Sequence, residues 1–204
     1  KRTVLISLAG TNETIGNFEL SEKYYREASE YAIDEEDSEN IKNHYRAQMQ
    51  TQASRYVADS LYVQGAEEYI RLADEYRTTD LDRFVGFTRE AIDSYIMAEE
   101  YQSAIDLLIE LSDYRSEPQQ SYYLYVTAWD IADSLLHNQD MNLKLKEEFI
   151  DKHPESNQAY LTRYEIIDDY ANNPETKILA GDMLLELHND AISGRIDYGA
   201  DETA

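Results

Sequence analysis

Apolar and small residues recur along this chain at one fixed spacing. A large aromatic residue is followed by a small residue three positions on, a large apolar residue four further, and an apolar residue three beyond that. Spacings of three and four put side chains on one face of an α-helix, so the pattern predicts amphipathic helices. It occurs at Phe18, Ser21, Tyr25 and Ala28; at Tyr62, Gly65, Tyr69 and Leu72; at Tyr101, Ala104, Leu108 and Leu111; and, without the aromatic, at Ala180, Leu184 and Leu187.

An internal repeat of roughly 40 residues with only helical spacing predicts stacked helix pairs, each of which buries its apolar face on the next. The first pair extends from Thr3 to Ala32 and turns at Gly16–Asn17, with Leu5, Leu8 and Ala9 in the core. Glycine can end a helix in the left-handed conformation, which favours a turn at this dipeptide.

The later boundaries follow from charge and capping residues. Asp34–Asn40 has no apolar residue, so we expect a loop there and a helix from about Asn40 to Ser60. Thr79 and Asp82 have the spacing of a capping box at the start of the third pair. Ser116 is a candidate cap before Pro118 in the fourth pair, and Asn173–Pro174 is the expected start of the last helix.

Composition agrees with five helix pairs. Only 7 glycines and 3 prolines occur in 204 residues, which disfavours a turn-rich β-fold, so we predict an all-α chain. We expect one helical repeat domain at residues 1–192 and a flexible tail, or the stub of a longer chain, at residues 193–204. The absence of cysteine excludes disulfides and thiolate chemistry.

The chain is strongly acidic, with 42 acidic and 18 basic residues and a net charge of −24. Such a protein repels phosphate backbones and anionic lipids, so we expect neither nucleic acid as a partner nor membrane insertion by this chain. Three explanations of the charge stay open: a basic ligand, a cation site, or solvation of the outer faces, which high-salt organisms exaggerate.

These residues resemble the tetratricopeptide repeat superfamily, whose unit is a helix pair with large, small and aromatic residues at set positions. Leu5, Ala9, Gly16, Phe18 and Tyr25 carry the resemblance in the first pair, and Tyr101, Ala104 and Leu108 carry it in the third. The resemblance implies a right-handed α-solenoid of about five pairs. It also implies a concave groove lined by the first helix of each pair, and a role as a scaffold that binds a protein or peptide.

A weaker similarity links the junction Lys152–Ser156 to repeats of bacterial cell-envelope lipoproteins of the outer-membrane assembly type. Lys1 and Arg2 precede an apolar run, Val4–Ala9, as at the end of a signal peptide, although the same residues fit the first helix. The compartment therefore stays undetermined, with an extracytoplasmic or periplasmic location favoured over the cytoplasm.

The register that the resemblance implies places a partner-binding site on the second half of the groove. One cation, flanking carboxylates and two aromatic residues can anchor a peptide through a few buried contacts and a polar rim. The predicted site residues are Arg89, Asp93, Tyr123, Asp130, Asp133 and Tyr164. Arg89 is the only basic groove position, so we do not expect the clamp with which chaperone-binding relatives hold a C-terminal carboxylate.

Catalytic chemistry has little support in the sequence. It contains no nucleophile elbow, phosphate-binding glycine loop or zinc-binding helix motif, and the four histidines are scattered. The segment Asp34–Asn40 lacks the glycine and terminal glutamate of an EF-hand loop. We therefore predict a protein that is not an enzyme, with no catalytic residues, no metal site and no cofactor.

Tyrosine is unusually abundant, with 18 residues. Two explanations are open: packing between helices and a protein-binding surface, since tyrosine offers a large contact area with a polar tip. Eight tyrosines fall on repeat positions and are expected to pack: Tyr25, Tyr56, Tyr62, Tyr69, Tyr95, Tyr101, Tyr125 and Tyr170.

Two functional hypotheses follow from the repeats. The chain is either a scaffold that binds a partner through its concave face, or a structural subunit packed permanently in a larger, cell-envelope-type assembly. A monodisperse monomer favours the first, whereas instability without a co-purified partner favours the second. An enzyme is the third alternative, which a bound metal or cofactor would support.

We expect the protein to be more stable in salt. A net charge of −24 produces self-repulsion that ions screen, so Tm should rise between low and molar NaCl. The measurement is thermal unfolding followed by circular dichroism. NaCl is the suitable salt, because sulfate also strengthens apolar burial. A Tm that stays flat or falls would mean that the repulsion is compensated locally.

Overall fold

The structure is a computed structural model that describes residues 1–115 and 117–193. These residues form ten helices and contain no strand. The helices are α1 Arg2–Thr14, α2 Phe18–Ser29, α3 Glu35–Ala58, α4 Tyr62–Asp74, α5 Leu81–Met97, α6 Tyr101–Asp113, α7 Pro118–Ser134, α8 Gln139–Lys152, α9 Asn157–Asn172 and α10 Lys177–Ile192. The prediction of an all-α chain of about ten helices is confirmed for the described residues.

The chain divides into two compact units, one comprising Lys1–Ala104 and the other beginning at Ile105. In the first unit each helix from α1 to α5 packs on the next, so the helices stack in chain order. The repeat residues form the interior: Leu5 and Ala9 of α1 meet Tyr25 and Ala28 of α2, and Ile41 of α3 closes this cluster. In the second unit α7 packs on α8, α8 on α9, and α9 on α10, and α7 also contacts α9.

The turn inside each of the first four pairs uses one residue in the left-handed region. Gly16, Ser60, Glu99 and His137 have φ angles of 79°, 62°, 60° and 51°. Each stands two positions before the first residue of the second helix in its pair. Glycine favours this conformation at Gly16, as predicted, whereas Ser60, Glu99 and His137 enter it at a cost in free energy.

Three predicted boundaries were wrong. The segment Asp34–Asn40 is not a loop, because α3 begins at Glu35 and the Asp34 carboxylate accepts a hydrogen bond from the Asp37 backbone N–H at 2.8 Å. Glu35, Glu36 and Asp37 then occupy the first turn, where the helix dipole favours negative charge. Asp80, not the Thr79–Asp82 pair, caps α5 through the Arg83 backbone N–H at 3.1 Å.

The last helix begins at Lys177, and Asn173 instead ends α9 as its C-terminal cap, so the expectation that Asn173–Pro174 starts the helix was wrong. Two residues predicted to lie in the core are exposed, Leu8 at 39% and Leu184 at 44%. Ser116 and the part of the expected tail from residue 194 onward lie outside the described residues.

Gly65 lies where α4 crosses closest to α3. A Cβ atom built on Gly65 would meet Cγ2 of Val57 at 2.7 Å and the carbonyl oxygen of Ala53 at 3.4 Å. One turn away, the hydroxyls of Tyr69 and Ser54 are 3.1 Å apart. The missing side chain therefore allows the two helices of the second pair to come together.

Gly65→Leu should lower the free energy of unfolding by about 1–3 kcal/mol, because the new side chain overpacks the α3–α4 contact. Urea unfolding measures the change. Gly86→Leu is the matched control, since a Cβ at Gly86 in α5 meets nothing within 4 Å and leucine is the better helix former. Equal stability of the two variants would contradict the close crossing at Gly65.

A buried carboxylate lies between helices of the first unit. Glu68 of α4 is only 5% exposed, and its Oε2 accepts a hydrogen bond from Arg71 Nη1 at 2.7 Å. Arg71 Nη2 also donates to Glu22 of α2 and to the Tyr45 hydroxyl of α3, whereas no described residue donates to Glu68 Oε1. Burial raises the pKa of Glu68 above its ordinary value, and Arg71 offsets only part of this effect.

Glu68→Gln should stabilise the protein at neutral pH, with a gain that grows as pH rises. Because the folded state binds the Glu68 proton more tightly than the unfolded chain, the wild-type protein loses stability as pH rises from the ordinary glutamate pKa through the raised one. Thermal unfolding between pH 4 and pH 8 measures this difference. Glu67→Gln changes the charge equally at an exposed position, and a matching pH trend in that variant would contradict the assignment.

Candidate functional site

Helix α7 is the best-anchored helix near the predicted site. Pro118 occupies its first turn, and Tyr125, Ala128 and Trp129 face inward. Phe149 of α8 packs against this face, with ring centroids 5.4 Å from Tyr122 and 5.5 Å from Tyr125. These aromatic contacts fix the direction in which the opposite face of α7 points.

A polar network lies at the edge of the contact between α7 and α8. The Tyr125 hydroxyl donates to Glu148 Oε1 at 2.8 Å, and Lys152 Nζ lies 2.7 Å from Asp113 Oδ1 and 3.4 Å from Glu148 Oε1. Burial raises the pKa of Tyr125 to about 12, so its hydroxyl stays a hydrogen-bond donor at physiological pH. This network links α6, α7 and α8 and leaves the outer face of α7 exposed.

Three predicted site residues of α7 share that exposed face. Tyr123, Asp130 and Asp133 follow helical spacing, and Tyr123 is 61% exposed. The Tyr123 ring contacts the ring of half-buried Tyr122, with centroids 6.1 Å apart, and this contact restricts the Tyr123 side chain. Tyr164 of α9, 49% exposed, belongs to the same unit, in which α7 contacts α9.

The remaining two predicted residues, Arg89 and Asp93, belong to the first unit. They lie one turn apart on α5, and both are exposed. No described residue forms an ion pair with Arg89. Arg89 is therefore available to a ligand carboxylate.

A polar cavity of about 720 Å³ opens beside Asp133 in the second unit. Lys146 of α8 is buried at its wall, with Nζ 3.5 Å from both Glu165 and Asp169 of α9. The rest of the lining is rich in carboxylates and amides, from Asp133, Gln139, Asp140, Asn142, Asp169, Asn172 and Asn173, and also includes Leu143, Ile166 and Tyr170. Such a surface can hydrogen-bond to a peptide backbone or to a cationic side chain.

A second cavity, mostly apolar and of about 560 Å³, lies between α9 and α10. Its walls are formed by Tyr160, Tyr164, Gly181, Leu184, Leu185, Leu187 and His188. Tyr164 therefore lines an apolar recess.

Sequence reasoning missed both cavities. Lys146 was not singled out, although it directly follows Leu145 and precedes Phe149 by three residues, which places it on the apolar side of α8. A charged residue in an apolar register is a usable signal, because it must find buried partners. Leu185 was also missed, and it is 61% exposed.

The described residues give no indication of catalytic or metal chemistry. Within residues 1–115 and 117–193, no three His, Asp or Glu side chains are grouped so that they could hold a metal ion. No helix in this part of the chain combines the length and the apolarity needed to cross a membrane. The arrangement consists of exposed helix faces next to open cavities, which can bind a partner.

Comparisons with known proteins add little. No protein family matches the sequence, and no curated protein matches it either. Among solved structures, the chain is similar to a putative kinesin light chain from Podosopora anserina with nearly identical TPR-like repeats, at 14% identity and a TM-score of 0.38. That similarity covers 95% of this chain and 96% of the other.

Proposed function

We propose that this protein is a non-enzymatic scaffold that binds a partner protein or peptide through the exposed face of the first helix in each pair. The observation that carries the proposal is the pair of exposed tyrosines, Tyr123 and Tyr164, on α7 and α9 of one unit. Exposed aromatic residues supported by packed neighbours are typical anchors of protein interfaces.

The two cavities offer a partner two different kinds of surface. The polar cavity beside Asp133 offers acceptors for backbone N–H groups and basic side chains, and the recess beside Tyr164 offers apolar surface. Asp130 lies on the face of α7 between Tyr123 and Asp133 and extends the acidic surface. The resulting site combines an apolar anchor with a polar rim, as protein interfaces commonly do.

In the first unit we assign a supporting role to Arg89 and Asp93. Their exposed charges on α5 can pair with complementary charged groups of a partner. Exposed ion pairs add little affinity and chiefly select the partner and speed its association. The tyrosines, rather than Arg89, should therefore dominate the binding free energy.

A second candidate, a structural subunit of a larger assembly such as one of the cell envelope, is favoured by one observation. Three apolar residues of α1 are exposed and follow helical spacing. They are Val4 at 62%, Leu8 at 39%, and Ile15, the C-terminal cap of the helix, at 70%. An apolar stripe of this kind is often covered by another chain in a permanent assembly. Light scattering separates the candidates, since a stable monodisperse monomer is expected of the scaffold and not of the subunit.

Tyr123→Ala and Tyr164→Ala should each weaken partner binding by about 1–2 kcal/mol without melting the fold. A photo-crosslinking amino acid at position 123 first captures the partner in cells, and calorimetry with the purified partner then gives the affinities. Tyr31→Ala is the matched control, because Tyr31 is an exposed tyrosine of the first unit.

Tm values of the variants check that each one is folded. Wild-type affinity of both tyrosine variants would contradict the assignment of the anchors. Stronger losses from Val4→Ser and Ile15→Ser would place the interface on α1 and favour the structural subunit.

A further inference from the structure

The second helix of a pair carries two rows of residues, and a different neighbouring helix covers each row. One row faces the first helix of the same pair and contains Gly65 and Leu72 in α4. The second row lies one residue later, at Ala66 and Ala73, and both are buried, with α5 packed on α4. In α6 the second-row residues Ile105 and Ser112 are buried as well.

Helix α10 repeats this register but leaves its second row exposed. Ala180 and Leu187 face α9, where they join Ile167 in one apolar cluster. The residues one position later, Gly181 and His188, are exposed, and so is Leu185 at the intermediate position. A Cβ atom on Gly181 would meet nothing within 4 Å, so the recess beside Tyr164 is open at this residue.

Helix α8 has large apolar residues at the matching positions of both rows. Phe149 of α8 faces α7, and Ile150, one position later, lines a cavity together with Ile166 and Ile167 of α9. In α4 and α8 this second row meets the next helix along the chain, α5 and α9. The face of α9 and α10 is therefore shaped for a helix with apolar residues at positions i, i+3 or i+4, and i+7.

The charge around the recess selects among possible helices. Asp168 lies one turn after Tyr164, Asp182 directly follows Gly181, and both are exposed. Residues 157–193 contain seven acidic side chains and two basic ones, Arg163 and Lys177 against Glu165, Asp168, Asp169, Glu175, Asp182, Glu186 and Asp190. A second copy of this chain would bring a net charge of −24, so an oppositely charged partner fits better.

We propose that the face formed by Tyr164, Gly181, Leu184, Leu185 and His188 binds an amphipathic helix of a partner protein whose apolar stripe is flanked by lysine or arginine. The helix inserts its apolar stripe into the recess, and its basic flanks face Asp168 and Asp182. This inference deepens the proposed scaffold function, since Tyr164 belongs to both sites, and it rests on that function.

The test uses three synthetic 18-residue peptides and the full chain. The first peptide has leucine at i, i+4, i+7 and i+11, lysine on both flanks and alanine elsewhere. The second has the same composition with the leucines scattered around the helix, and the third has glutamate in place of lysine. Fluorescence anisotropy of the labelled peptides, recorded at low and at physiological salt, measures binding.

We expect the first peptide to bind at least tenfold more tightly than either of the others. Leu185→Glu should weaken its binding at least tenfold, because it places a charge in the recess at a position already exposed in the folded protein. Ile15→Glu is the matched control on an exposed apolar residue of the first unit and should bind normally. The Tm of Leu185→Glu verifies that it is folded.

Several results would overturn the proposal. Equal binding of the scattered peptide would mean nonspecific adhesion, and equal binding of the glutamate peptide would remove the charge argument. Sedimentation that shows a dimer broken by Leu185→Glu would make a second copy the occupant. Tyr123→Ala keeps the two proposals apart, because it should leave the peptide bound and weaken only the partner captured through α7.

Discussion

The packing of this chain depends on a residue with little or no side chain where the two helices of a pair approach each other. Ser21, Gly65, Ala104 and Ala180 occupy that position in four of the five pairs, and all four are buried. At Gly65 the contact is so tight that a single added carbon would strike Val57. Large residues such as Tyr25 and Tyr69 can then bury their rings beside the crossing, and the outward faces remain for binding.

A strongly acidic chain must also manage the few charges that it buries. Glu68 is held by Arg71, which is shared with Glu22 and Tyr45, and Lys146 is held between Glu165 and Asp169. In both places a basic side chain pairs with acceptors on a neighbouring helix, so these cations act at helix contacts. Most acidic residues elsewhere are exposed and solvate the outer faces, as the composition suggested.

The candidate site shows the same division between anchored and open surfaces. Aromatic packing on Phe149 holds α7 in place, and the opposite face presents Tyr123 and the acidic groups. Of the eight tyrosines expected to pack, all are buried or half-buried, whereas Tyr123 and Tyr164 are exposed. Packing therefore accounts for the tyrosines at the repeat positions, and it does not account for the two proposed anchors.

The sequence by itself determined that the chain folds into paired helices and which residues of most helices are buried, because helical spacing is local and repeats along the chain. It also predicted exposed residues on α5, α7 and α9. Only the tertiary structure decided the rest. Ser60, Glu99 and His137 adopt the left-handed turn because the packed helices on either side require it, and not through their own propensity. Leu185 is exposed because no described helix covers the second row of α10, which no local pattern can reveal.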